Sequence, residues 1–394
     1  MSNGASAVAA DGVVRRGRYL LAAVAGAAAL AWAVGLYIEP KRGWASLLMV
    51  AFMLLSLALG AVCFVALQHV SGARWSVPVR RVAEAIGTTL PVGAVFLLPI
   101  GLGLGTLYHW THADGHDPVL AAKSWWLNLP FFVGRSLVYL AVWAFLAFRL
   151  WRGSVAQDVD GDPSHTRSNV RWSVGFLLLF APTFSAAAFD WLMSLDPHWA
   201  STMFALYQFS GAFVSGLALL LVVVVLLRRA GRLPNVGVAH LHDLGRLLFG
   251  FSSFWAYLWF CQLMLIWYAN IPEETGWYLR QWHGGWGLVS IIVPVLLWVI
   301  PFFGLMRRES KRNESTLLHV AACVLVGRWL DLGLNIFAAL DLPLWIGPAE
   351  VGATVLAVVA LVLAVRNRLA HAPLVPKGDP RLPQGSAHHV GIAM

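Results

Sequence analysis

The chain has 394 residues, of which 59% are hydrophobic and only 12% charged, and its mean hydropathy is +0.70. A water-soluble globule of this length cannot hide so much apolar surface, so the excess must face lipid. The net charge of +9 raises nucleic acid as a partner, but the arginines and lysines cluster beside apolar runs, which assigns them to a membrane and excludes nucleic acid.

Ten apolar runs reach or approach the roughly 20 helical residues that a bilayer core requires. They cover residues 19–38, 44–68, 83–108, 131–150, 173–194, 202–227, 247–269, 285–305, 316–340 and 351–365, which predicts an all-α, polytopic membrane protein. Arg15, Arg16 and Arg18 followed by the first run resemble a secretory signal, yet that run is as long as a full span and a second follows at once, so a retained helix is expected. Pro91, Pro99, Pro182, Pro294 and Pro301 fall inside runs and predict kinks, because neighbouring helices in lipid satisfy the freed backbone groups. Residues 158–168 read as a flexible loop, residues 1–18 as a cytoplasmic segment, and residues 369–394, rich in Pro, Gly and His, as a flexible cytoplasmic tail.

With ten spans, 22 of the 28 basic residues fall on one face. Four fall opposite, namely Lys41, Arg42, Lys123 and Arg280, while Arg135 and Arg328 lie within spans. The positive-inside rule makes the basic face cytoplasmic and puts both termini there. The 20 tryptophans fit helix ends at two headgroup interfaces.

Ionisable groups inside spans are costly unless paired or hydrated, so each is a candidate. Arg135 and Asp190 lie at matching depths in the fourth and fifth runs, which predicts a pair, either at the wall of a polar cavity open to the outer side or as a structural salt bridge. Arg328, Asp331 and Asn335 share one face of the ninth run near mid-membrane; they line a proton or quinone path or glue helices together. Glu84, with Thr88 and Thr89 one turn deeper, either begins a proton entry path or snorkels to the surface. The outer loops carry Glu273, Glu274 and His283, and His109, His112, His116 and Asp117, which read as docking surface because no trio has the spacing of a metal site. Cys63, Cys261 and Cys323 lie singly in apolar runs, and none of the 13 histidines lies at the middle of a span. Disulfide, zinc, iron–sulfur and b-type haem sites are therefore not encoded. Gly101, Gly103 and Gly105 lack the strand and turn of a nucleotide loop and read as a kink or close helix contact.

Two stretches carry a resemblance: FDWLMSLDPHWASTMF at 189–204 and FWAYLWFCQLMLIWYANIPEETGWY at 254–278. Both resemble the shorter of the two large membrane subunits of quinol:cytochrome c oxidoreductase, alternative complex III, members of the NrfD-like, polysulfide-reductase membrane-subunit family. The resemblance implies two four-helix bundles, helices two to five and six to nine, flanked by helices one and ten in a single domain over residues 19–368. It implies a bacterial inner-membrane subunit without a redox centre of its own. Its partners would be an iron–sulfur subunit, c-type cytochrome subunits and a paralogous membrane subunit, with quinol close to the outer face. Asp190, Asp196, His198, Glu273 and Glu274 match the motifs. Ten spans with broken helices and buried charges also suit a secondary transporter, the contrasting expectation.

Overall fold

The computed structural model describes residues 2–112 and 116–388, with side chains from residue 19 onward. Among the described residues, ten helices are long and apolar enough to cross a membrane. They are α1 (Tyr19–Ile38, the end of a helix that begins at Ser2), α2 (Pro40–Val70), α3 (Val77–Leu107), α4 (Leu129–Asp160), α5 (Ser164–Leu195), α6 (Met203–Arg229), α7 (Val238–Ala269), α8 (Trp286–Gly304), α9 (Glu314–Phe337) and α10 (Pro348–Ala370). Each overlaps one apolar run, so the fold is all-α and multi-pass.

Helix α2 is the axis of the molecule. It packs on α3 and α5, and α4 packs on α5, which closes a first bundle from α2 to α5. A second bundle forms where α6 packs on α7 and α9, and α8 on α9. The bundles meet chiefly along α2 and α6, whose backbones cross at Gly60 and Gly216. A Cβ on Gly60 would lie 2.5 Å from the Ala212 carbonyl oxygen, so the approach depends on glycine. Helices α1 and α10 pair with each other and lean on α2. The most apolar stretch of α2 is 94% buried and that of α1 only 11%, which separates a core helix from one that faces lipid.

The prolines act in three ways. Helix α3 restarts at Leu90 with Pro91 in its first turn and tightens into a 3-10 turn over Leu98–Gly103 around Pro99. Pro182 is carried inside a continuous helix. Pro294 precedes a π-helical turn, Val295–Val299, and Pro301 opens the helical segment beyond it. Gly103 lies against the Trp44 ring, where a Cβ would come within 2.3 Å, so close helix contact accounts for this glycine.

Two expected flexible segments are ordered. In place of a loop over 158–168, α4 ends at Gly161, whose φ of 68° is the left-handed cap conformation, and the Asp162 carboxylate caps the next helix on the Ser164 N–H. The sequence DGDP is thus a two-residue turn in which each residue punctuates a helix. Residues 371–388, within the expected flexible tail of 369–394, fold back over the basic face, where Asp379 pairs with Arg80, the Gly378 N–H donates to Asp158, and His388 meets Asp243; residues 389–394 lie outside the described residues.

Contacts stitch each end of the bundle. On the basic face Arg228 and Arg229 both pair with Glu314, joining α6 to α9. On the opposite face the loops following α3, α5, α7 and α9 meet one another.

Candidate functional site

Three ionic clusters and one cleft hold the chemistry-bearing residues. In the first bundle, Arg135 of α4 donates to Asp190 of α5 through Nε (3.0 Å) and Nη2 (2.8 Å), a bidentate pair. Trp126 Nε1 donates to Oδ1 at 2.8 Å and Tyr139 OH to Oδ2 at 3.1 Å. The Arg135 guanidinium also lies 4.0 Å from the Trp126 ring centroid and 4.1 Å from that of Phe131, within cation–π range of both. Two carboxylate oxygens offer about four acceptor positions, and here four donors fill them. Asp190 is fully buried, and its acceptor positions are filled.

In the second bundle Arg328 pairs with Asp331 one turn further along α9, and both are fully buried. Tyr207 of α6 donates to Asp331 Oδ1, Asn335 Nδ2 lies 3.2 Å from the same oxygen, and Arg328 Nη2 donates to Gln208 Oε1 at 2.8 Å. Gly211 makes room for this arginine, since a Cβ there would lie 2.5 Å from Nη1. Asp331 lies six residues before the end of α9 at Phe337, about 9 Å along the helix. Asp190 lies five residues before the end of α5 at Leu195. Each bundle therefore carries an arginine, a carboxylate and a tyrosine at a similar depth near the face opposite the basic one.

Glu84 does not snorkel. It is buried 3.2 Å from both Arg80 Nε and Arg81 Nε, while Arg80 also holds Asp379 and Arg81 holds Asp158. Surface access is blocked because α4 and residues 371–388 cover this end of α3. The Thr88 and Thr89 hydroxyls donate to the Ala85 and Ile86 carbonyls, so neither extends a chain inward from Glu84.

The motif residues assemble on the face opposite the basic one. Asp196 pairs with Arg280, which also lies 3.9 Å from Asp341. His198 Nε2 lies 2.6 Å from Asp117 Oδ2, and Lys123 donates to the Pro197 carbonyl at 2.5 Å. The rings of Trp199 and Trp277 stack at 4.2 Å. Glu273 and Glu274 occupy the first turn of a short helix, Pro272–Trp282, where its N-terminal dipole favours them. His283 closes that helix with its ring 2.5 Å from the Leu279 carbonyl. The His198 ring and two backbone N–H groups hold the Asp117 carboxyl below its usual range, and burial pushes the Tyr278 hydroxyl above its own. His112 leans on the Gly105 carbonyl at 2.9 Å. Among the described residues no three His, Cys, Asp or Glu side chains converge as a metal site.

Beside this platform runs a cleft in two parts that share Phe189, Met193 and Ala200. One part, of about 230 Å3, reaches Trp126 and Trp199; the other, of about 420 Å3, reaches Gln262 and Glu274. Its walls come from the α5 end of the first bundle and from α7 of the second. Because Trp126 also bonds Asp190, an occupant that displaces the indole would free one acceptor on that carboxylate.

Several partners escaped the sequence reading. Arg42, counted among the charges of the face opposite the basic one, is buried between Glu39 and Glu350 at 2.8 Å each; Nη1, which holds Glu350, also donates to the Trp345 carbonyl, and Nη2 donates to that of Pro343. Tyr139, Tyr207, Gln208, Asp158 and Asp379 were equally silent, since polar partners on other helices have no fixed spacing in the chain. Glu350, three residues into a span, is the one that the cost of charge inside a membrane could have found. No protein-family model matches this chain, and no curated protein matches it in sequence.

Proposed function

We propose that this chain is the shorter NrfD-like membrane subunit of a quinol:cytochrome c oxidoreductase of the alternative complex III type, in a bacterial cytoplasmic membrane. The basic face and both termini point to the cytoplasm, as the bias of arginine and lysine requires. An iron–sulfur subunit and c-type cytochromes carry the electrons, and a paralogous membrane subunit stands beside this one. This chain anchors them and contributes to quinol interaction or proton translocation, with no redox centre of its own.

One observation carries the reading. The two stretches that bear the resemblance lie far apart in sequence, yet Asp196, Trp199, Trp277 and Arg280 join their neighbourhoods into one platform. That platform overlooks the cleft between the bundles. A rigid, cross-linked face suits a permanent docking partner, and an amphipathic cleft beside a buried Arg–Asp pair suits a quinol ring. Protons would use Glu84 from the cytoplasmic face and the Arg135–Asp190 and Arg328–Asp331 pairs from the other.

The test is to purify the tagged chain from its native membrane in mild detergent, record a haem spectrum and identify what travels with it. Co-migrating c-type haem, an iron–sulfur protein and a second NrfD-like chain are the expected result. A colourless, solitary chain would overturn the proposal and favour a secondary transporter, which the interrupted helices α3 and α8 also suit.

A further inference from the structure

Residues 371–388 do more than follow α10. The Asp379 carboxylate lies 2.5 Å from Arg80, and the Gly378 N–H donates to Asp158 Oδ1 at 3.0 Å, both in the first bundle. His240 Nε2 meets the Gly385 carbonyl at 3.0 Å, and His388 Nε2 lies 2.7 Å from Asp243, both on α7 of the second. The segment therefore bridges the two bundles across the basic face.

Its fit is close. A Cβ on Gly378 would lie 1.8 Å from the Gln157 carbonyl oxygen, and one on Gly385 2.5 Å from that of Arg74. Under it lie polar groups that apolar packing does not explain. Both ring nitrogens of His69 and Gln68 Oε1, at the end of α2, are buried without a hydrogen-bond partner, and within the segment itself so is Arg381 Nη1. Buried polar atoms of this kind call for water. One helical turn beyond Arg80 is Glu84. The anchors are ionic contacts and single hydrogen bonds rather than a broad apolar interface, so they can be released together without unpacking a span.

We propose that residues 376–388 are a lid that controls the access of water and hydrophilic solutes from the basic face to the Glu84 ion-pair cluster. Closed, the lid completes the shell of Arg80 with Asp379. Open, it exposes His69, Arg80 and Glu84 to the aqueous phase while the two bundles stay intact. The inference does not depend on which complex the chain belongs to.

The test uses Ser154→Cys in the full chain, a position 1% exposed behind the lid, and a hydrophilic maleimide applied from the basic face. Adding Gly378→Val, which wedges the lid without changing charge, or Asp379→Asn, which removes its main anchor, should speed labelling roughly tenfold. Labelling at Asp341→Cys by the same reagent applied from the opposite face should not change. Equal rates at Ser154→Cys with and without the lid substitutions would overturn the proposal. Hydrogen exchange on the unaltered chain provides a measurement that no variant can spoil by misfolding. The amides of 377–388 should exchange well before those of α2, and protection equal to that of α2 would also overturn it.

Discussion

Asp190 shows what a single carboxylate requires when it is buried in a membrane protein. Four donors from Arg135, Trp126 and Tyr139 converge on it, so its charge is compensated in place. Substituting Asn keeps the shape and removes the charge, leaving Arg135 buried against aromatic rings. Asp190→Asn should lower stability by about 3–5 kcal/mol, measured by unfolding in mild detergent. The double variant Arg135→Gln, Asp190→Asn should lose less than the sum of the single losses, and additive losses would show that the two side chains do not interact. Matching depths in two spans were enough to foresee this pair, but Trp126 and Tyr139 left no sign. A surface carboxylate behaves differently. The His198 ring and the helix-capping N–H groups depress the Asp117 carboxyl, so its contribution is present above the ordinary carboxylate range and is lost as pH falls through the lowered value. With His198→Ala the main cause is gone, and the segment around Asp117 should become protease-sensitive at a higher pH than in the unaltered chain. Identical pH profiles would remove His198 from the account.

At the scale of helices, apolar run length was the most legible feature, because bilayer thickness imposes a length that no soluble packing requires. All ten expected runs overlap membrane-length helices, with boundaries moved outward where polar turns continue the helix, as in α4 to Asp160 and α7 from Val238. Where the reading failed, composition misled it. Asp, Gly and Pro at 160–163 count as loop residues, yet they form a left-handed stop, a cap and a first-turn proline in succession. The tail 371–388 has too little apolar surface to suggest folding, but four polar anchors hold it. The crossing of α2 and α6 was also invisible, since Gly60 and Gly216 look like any two glycines among 36. A methyl at Gly60 meets a backbone carbonyl, which cannot rotate away as a side chain can. Gly60→Ala should therefore cost about 1–3 kcal/mol by overpacking, while Gly175→Ala, with open space around it, should cost nothing measurable in the same unfolding assay.

Across the whole molecule, two bundles share a core through α2 and α6, and ion pairs fasten helix ends and connections at both faces. The ties join residues hundreds of positions apart: Arg42 to Glu350 and Arg80 to Asp379. No periodicity reports such a contact, so the sequence indicated the number and alternation of spans but not which ends were fastened together. Arg42 is the clearest case. It lies in the first turn of α2, is 2% exposed, bonds carboxylates from the α1–α2 junction and from α10, and holds the Pro343 and Trp345 carbonyls of the connection between α9 and α10. Its guanidinium also lies 4.8 Å from the Trp345 ring centroid. Removing it leaves Glu350 buried with only the Gly347 N–H as partner. Arg42→Ala should destabilise the protein by about 3–5 kcal/mol, the usual loss when one member of a buried pair is removed. Because α1 and α10 pair with each other and touch the rest mainly through α2, the damage should be local. Hydrogen exchange should rise in residues 338–347 and in the first turns of α10 while α6 and α7 keep their protection. A uniform rise across all spans would mean instead that the Arg42 tie supports both bundles and not only the flanking pair.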